Sequence, residues 1–255
     1  MKFKEVVAQD HLTPVEMWVR NGLPNDGRLG PRLRTLSIVF PFDSHIREQC
    51  GRNDKPMPLE LYCLARNLAN PFMDQVLDRV MGFLQDQGFQ ATAGMGSKTF
   101  EVTSHSDSSH FHSNWSERHI AFAAGLGTFS LPETFITDLG CNIRLTSVIT
   151  DAPLEVSPRV FDGAYGNCLH HAKRTCGECI AKCPVGAINR EGHNKKKCSR
   201  YVQRMREKME ERPFRVMMKP HYQRLNGVEK PVYRVGCALC QFGVPCTDRN
   251  PMADE

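Results

Sequence analysis

The run Cys176-Gly-Glu-Cys179-Ile-Ala-Lys-Cys183-Pro184 restricts the folds open to this chain more than any other stretch. It reads C-x2-C-x3-C-P, most of the bacterial ferredoxin signature for a [4Fe-4S] cluster. A cubane needs one thiolate sulfur per iron, and two-residue gaps let the backbone curl round one cluster face. Cys183 falls after the curl and can point toward a second cluster. Pro184 suits a chain that leaves the binding loop with φ already fixed. A structural zinc site competes, since C-x2-C is also a zinc pattern. Zinc patterns do not continue as x3-C-P, which favours the cluster.

The chain has 11 cysteines, at positions 50, 63, 141, 168, 176, 179, 183, 198, 237, 240 and 246. Eight of them lie within 168–246, and eight is the ligand count of two cubanes. In a reducing compartment such clustering points to metal or redox chemistry rather than disulfides. Two-cluster ferredoxins exchange the last cysteine of each run. That rule gives Cys168, Cys176, Cys179 and Cys246 to cluster one, and Cys183, Cys198, Cys237 and Cys240 to cluster two. Cys168 stands further from Cys176 than a plain ferredoxin allows, and Cys246 follows a proline where the pattern has one after it. Cys50, Cys63 and Cys141 read as buried free thiols.

The 255 residues allow one large domain or two modest ones, and with 40% hydrophobic residues a core can form without the metal. No apolar run approaches the ~20 residues that span a bilayer. The start, Met1-Lys-Phe-Lys-Glu, has neither an apolar signal region nor a twin arginine, so no membrane and a cytoplasmic location are expected. Net charge is +5, but residues 190–235 hold 14 Lys and Arg against five Glu. Such a segment can dock an acidic electron donor, a ferredoxin or flavodoxin, or contact RNA. The plainer reading is a solvated helix face that offsets anionic clusters, and tRNA ranks last.

Local patterns outline the rest. Thr13 before Pro14 starts a helix to about Arg20. Leu36–Phe42 reads as a buried strand with Pro41 at or past its end. Leu59–Leu84 has a helical apolar stripe that Asn70-Pro71 should break or kink, with Gly88 as its cap. Residues 93–114 are Gly- and Ser-rich and carry His105, His110 and His112, which fits an active-site loop. Asn114-Trp-Ser-Glu117 has capping-box spacing for a helix over 115–124, closed by Gly125-Leu-Gly127. No dinucleotide fingerprint follows, since Ser130 stands where the third glycine would. Arg144–Thr150 is a strand, and a charged helix over Ser199–Glu211 ends at Pro213. Strands with intervening helices, then cysteine-rich sequence from about residue 160, predict an α+β chain. Its parts are an α/β domain over 1–159 and a ferredoxin-like domain over 160–255.

Three features together resemble the epoxyqueuosine reductase and reductive dehalogenase superfamily. They are the Glu117-x7-Gly125-Leu-Gly127 helix end, the strand Thr146-Ser-Val-Ile-Thr-Asp-Ala-Pro153, and the cysteine order with isolated Cys198 and Tyr201 three residues on. The resemblance covers roughly residues 115–250. It implies a nitroreductase-like, cobalamin-binding type of N-terminal domain with a corrinoid over two [4Fe-4S] clusters. Glu117, Gly125, Gly127, Thr128, Ser130 and Tyr201 would then contact the cobalamin. Where that family places an acidic proton donor this chain has Phe111, flanked by His110 and His112, which become the candidate catalytic acids. Neither that superfamily's C-terminal helical repeats nor its twin-arginine leader is expected for this chain. The expectation is a short corrinoid-dependent reductase acting on a small-molecule or modified-nucleoside substrate. The alternative is a ferredoxin-like electron-transfer protein with no catalytic site of its own.

Overall fold

The computed structural model describes residues 11–52, 60–104, 111–161, 163–210, 221–225, 228–232 and 235–253. The first helix, α1 (Pro14–Arg20), begins with the expected cap. The Thr13 hydroxyl accepts the Glu16 amide at 3.1 Å, and the Glu16 carboxylate accepts the Thr13 amide at 2.7 Å. Next come α2 (Leu29–Arg32), β1 (Arg34–Pro41), α3 (Ser44–Gly51), α4 (Glu60–Asp86), β2 (Ala91–Ala93), β3 (Val102–Ser104) and β4 (Phe111–Ser113). The chain goes on through α5 (Glu117–Ala123), β5 (Thr128–Phe129), β6 (Phe135–Ile136) and β7 (Ile143–Thr150).

β7 is the organising strand. It pairs antiparallel with β1 over eight residues, Arg34 opposite Thr150 through Pro41 opposite Ile143, and with β2 on its other edge. Side chains of a strand alternate between faces. Ile149 packs with Met17, Trp18, Trp115 and Ile120, while Leu145 packs with Ala121 and Phe122. On the opposite face, Val148 packs with Leu77 and Leu84 of α4. The sheet is thus covered on both faces, which is why six of the eight β7 residues are buried.

Pro71 does not end α4, which runs unbroken through it. A proline costs a helix one amide bond and a steric clash. Here Met73, Leu77 and Leu84 anchor the second half to the sheet, and the Asn70 side chain takes a hydrogen bond from Arg144 at 3.0 Å. Burial outweighs the breaker. The end of α4 follows expectation: the Gly88 amide bonds the Gln85 carbonyl and the Phe89 amide bonds the Leu84 carbonyl.

The helix expected over 115–124 starts two residues later, at Glu117, with Ser116 as its cap position and no side-chain capping bond. Asn114 is engaged elsewhere. Its amide donates to the Thr99 carbonyl at 2.9 Å, and its oxygen accepts the Glu101 amide at 3.0 Å. Those bonds close the base of a hairpin, β3 against β4, with Val102 opposite Ser113. Part of the stretch expected as a loop is therefore strand.

Beyond β7 come α6 (Leu169–Lys173), α7 (Glu178–Ala181), β8 (Ile188–Asn189), β9 (Gly192–His193) and α8 (Lys195–Glu210). α8 begins four residues before its expected start, because the Asn194 side chain caps the Lys197 amide at 2.9 Å and draws Cys198 into the helix. Pro213 lies outside the described residues. β10 (His221–Leu225) and β11 (Val228–Val232) form an unanticipated hairpin, and β10 lies parallel to β3 at Leu225 opposite Val102. A 3-10 turn, Leu239–Gln241, carries Cys240. The described residues form a mixed α/β structure with small sheets. Among them no helix is long and apolar enough to cross a membrane.

Residues on either side of position 160 share cores. Phe42, Cys50, Tyr62 and Cys63 pack with Val235, Ala238, Leu239 and Phe242. The backbone also joins them: the Cys141 amide bonds the Cys246 carbonyl at 2.8 Å and the Asn142 amide bonds the Thr247 carbonyl at 3.2 Å.

Candidate metal centre

The eight clustered cysteines fall into two neighbourhoods. Burial pushes the Cys179 thiol up to about 12, and the sulfurs of Cys246, Cys168 and Cys176 push it in the same direction. Burial likewise raises Cys237 to about 12, with Cys198 and Cys183 adding to it. Cys240 is raised by burial first, then by Cys237, Cys198, Cys179 and Cys183. Cys179 therefore lies among Cys168, Cys176 and Cys246, and Cys240 among Cys183, Cys198 and Cys237. They adjoin where Cys179 on α7 approaches Cys240 on the 3-10 turn. Among the described residues no three His, Cys, Asp or Glu side chains are close enough to hold a single metal ion. Thiolates at the corners of a cubane stand further apart than the ligands of one ion.

The sequence builds these groups locally. Cys168 occupies the cap position of α6, and Asn167 before it is fixed twice. Its amide donates to the Thr128 hydroxyl at 2.8 Å, and its side chain donates to the Ile136 carbonyl at 2.9 Å. The gap between Cys168 and Cys176 is filled by α6 and its left-handed exit at Arg174. His170, on α6 and 2% exposed, lies with one ring nitrogen 2.9 Å from the Cys176 carbonyl and the other 3.0 Å from the Arg190 carbonyl. It ties the first cysteine loop to the β8–β9 turn. Nothing in the sequence singled out His170, since its partners are backbone atoms brought together by the fold.

Cys183 accepts the Ala187 amide at 3.1 Å on its sulfur. Amide bonds to sulfur are a normal means of holding a cluster thiolate. Leu131, Ile136 and Ile188 pack around Cys168, Cys179, Cys183, Cys240 and Cys246, giving an apolar shell. The opposite loop is held by Asn142, whose side chain donates to the Gln241 carbonyl at 2.7 Å. Cys141 is fully buried beside Cys246, so a ninth sulfur touches the first group. This donor set, thiols in an apolar shell with an amide on sulfur, fits two iron–sulfur clusters.

The positions assigned to a corrinoid sit differently. Gly125 ends α5, with its amide on the Phe122 carbonyl and the Leu126 amide on the Ala121 carbonyl. Gly127 lies so close to β6 that a Cβ there would stand 2.1 Å from the Ile136 carbonyl oxygen. Thr128 is fully buried and serves Asn167, while the Ser130 hydroxyl bonds that of Thr134 at 2.6 Å. Tyr201 is buried on α8 beside Cys237 and Cys183. Gly127, Thr128 and Ser130 are engaged by the protein's own packing.

Glu117 is 7% exposed, and burial pushes its carboxyl up to about 7. Ser147, the Met95 amide, Trp115 and the Arg144 charge pull the other way. The Met95 amide bonds Oε1 at 3.0 Å, whereas Ser147 and Trp115 bond each other and Oε2 has no hydrogen-bond partner. His105 and His110 lie outside the described residues, and His112 sits in β4 opposite Thr103.

No protein-family model and no curated protein matches the chain. Among solved structures, it aligns with an epoxyqueuosine reductase from Bacillus subtilis at 15% identity and a TM-score of 0.45, covering 89% of this chain and 52% of that one. It also aligns with a selenomethionine-labelled epoxyqueuosine reductase at 16% identity and a TM-score of 0.46, covering 96% and 54%. The chain spans about half the length of these structures.

Proposed function

We propose that this chain is an iron–sulfur redox protein that carries electrons through two [4Fe-4S] clusters. Cys168, Cys176, Cys179 and Cys246 would hold the first, and Cys183, Cys198, Cys237 and Cys240 the second. The supporting observation is the sorting of eight cysteines, spread over 79 residues of sequence, into two adjoining groups of four. When bound, each cluster supplies reversible one-electron storage. The chain's own part is to orient thiols, exclude water with Leu131, Ile136 and Ile188, and place an amide on the Cys183 sulfur. Electrons would come from a donor such as a ferredoxin or flavodoxin, drawn by the basic face of α8.

Of the two expected activities, electron transfer to a partner or small-molecule acceptor is favoured over corrinoid chemistry. The carrying point is that Gly127, Thr128, Ser130 and Tyr201 are committed to packing. Anaerobic purification followed by iron, acid-labile sulfide and corrinoid analysis of one sample tests both readings. About eight iron and eight sulfide per chain, with no corrinoid, is the expected result. About four of each would remove the two-cluster reading, and bound corrinoid would reinstate the other activity.

A further inference from the structure

Two arginines, Arg66 and Arg144, come together near Gly236, and among the described residues no carboxylate is in a salt bridge with either. Tyr62, Arg66 and Asn70 follow one another at single-turn spacing along one face of α4. Arg144 reaches that face from β7, its Nη2 donating to Asn70 Oδ1 at 3.0 Å. The Nε atoms of both arginines are shielded from solvent and have no hydrogen-bond partner. Among the described residues neither arginine is in an ion pair. Arg144 does feel Glu117, but behind a stronger repulsion from Arg66.

A guanidinium has five N–H donors and keeps its charge, so a close pair with idle donors is costly unless an anion completes it. Buried donors without partners are rare in folded proteins, and each calls for an explanation. The surroundings say what kind of anion fits. The Arg66 guanidinium lies against Gly236, where a Cβ would stand 2.7 Å from Nη1. Phe40, opposite Arg144 in the β1–β7 register, meets the ring of Phe72 edge-on at 6.0 Å, and Phe72 is 57% exposed. Cationic donors with an aromatic side chain beside Arg144 on the same sheet face suit an organic molecule with one charged end.

We infer that Arg66 and Arg144 form a binding site for the oxyanion, phosphate or carboxylate, of a small organic molecule whose apolar body rests on Phe40 and Phe72. Two guanidinium forks match such planar or tetrahedral oxyanions. Gly236 precedes Cys237, so the ligand is held next to the second cluster. That adjacency has redox meaning only under the two-cluster reading, while the anion site stands without it.

The test titrates inorganic phosphate, and separately acetate, into the anaerobically purified full chain at constant ionic strength set with chloride. Melting temperature and calorimetric heat are followed. A saturable rise with either anion is expected, and the stronger of the two assigns the ligand's charged group. Arg66→Lys keeps the charge but loses the fork and Nε, and should weaken the response at least tenfold with the visible absorption unchanged. A response equal to chloride, or one equal in wild type and Arg66→Lys, overturns the site. Iron and sulfide content of the same samples separates the two ideas. Anion binding without clusters removes the redox setting alone, and clusters without anion binding remove the site alone.

Discussion

The backbone amide of Cys141 donates to the carbonyl of Cys246 across 2.8 Å, and the two thiols lie side by side. The residue just ahead of β7, the central strand, is thereby stitched to the last cysteine of the chain. The Cys141 thiol itself points to the Gln241 carbonyl at 3.7 Å. Under the proposed assignment Cys246 is the ligand and Cys141 its support. Cys246→Ala should lose the first cluster, about half the iron, while Cys141→Ala should keep all of it. Iron analysis and the electron paramagnetic resonance of the reduced protein read this out, and iron loss in Cys141→Ala would reverse the assignment.

Cys176 and Cys183 are seven residues apart but sit in different sulfur groups. Serine at Cys176 should therefore abolish the reduced-state resonance of one cluster, and serine at Cys183 that of the other. If both variants lose the same signal, the exchange of ligands between runs is wrong.

Glu117 gives a pH dependence whose sign can be worked out. Its folded pKa is raised from 4.5 to about 7, so the native state holds a proton that the unfolded chain releases in that window. Its stabilising contribution is full below pH 4.5 and lost as pH rises through 7. At one pKa unit per 1.36 kcal/mol the loss is on the order of 3 kcal/mol. Glu117→Gln should remove it. Melting temperatures at pH 5 and pH 8 should differ less in the variant than in wild type, and equal differences would count against the buried carboxyl.

Gly127→Ala would drive a methyl group into the Ile136 carbonyl and disturb the Thr128–Ile136 pair. Overpacking of this kind costs about 1–3 kcal/mol. Because the Ile136 carbonyl also holds Asn167, next to Cys168, the variant should yield iron to a chelator faster than wild type. Urea unfolding and timed chelation check the two effects, and unchanged stability would leave the glycine free for another role.

Removing the His170 ring takes away the hydrogen bonding that links α6 to the Cys176 and Arg190 carbonyls. His170→Ala should cost about 1–3 kcal/mol. Thermal unfolding gives the value, and a neutral result would show that the Cys176 loop holds itself.

Several elements were legible in the sequence because their causes are local. Thr13, Pro14 and Glu16 specify a helix start within four residues, and the Leu84–Phe89 stretch specifies its own stop. Where local and distant forces compete, the sequence misleads. Pro71 signals a break that packing of α4 overrides, and Asn114 signals a cap that the β3–β4 hairpin takes for itself. The β10–β11 hairpin was invisible, since its lodging beside β3 depends on a partner over 100 residues away.

Cysteine spacing alone pointed to iron–sulfur ligation, because the C-x2-C-x3-C-P run sets thiols at gaps that suit a cluster. Tertiary structure decided what surrounds them. Phe42, Cys50, Tyr62 and Cys63 pack against Val235, Ala238, Leu239 and Phe242, Cys141 comes against Cys246, and His170 lies between two distant carbonyls. Arg66 is brought to Arg144 and to Gly236. None of these pairs is near in sequence or marked by spacing. They exist because burying the two faces of one strand, β7, forces distant segments into contact, and hydrophobic burial is proportional to area and blind to sequence order.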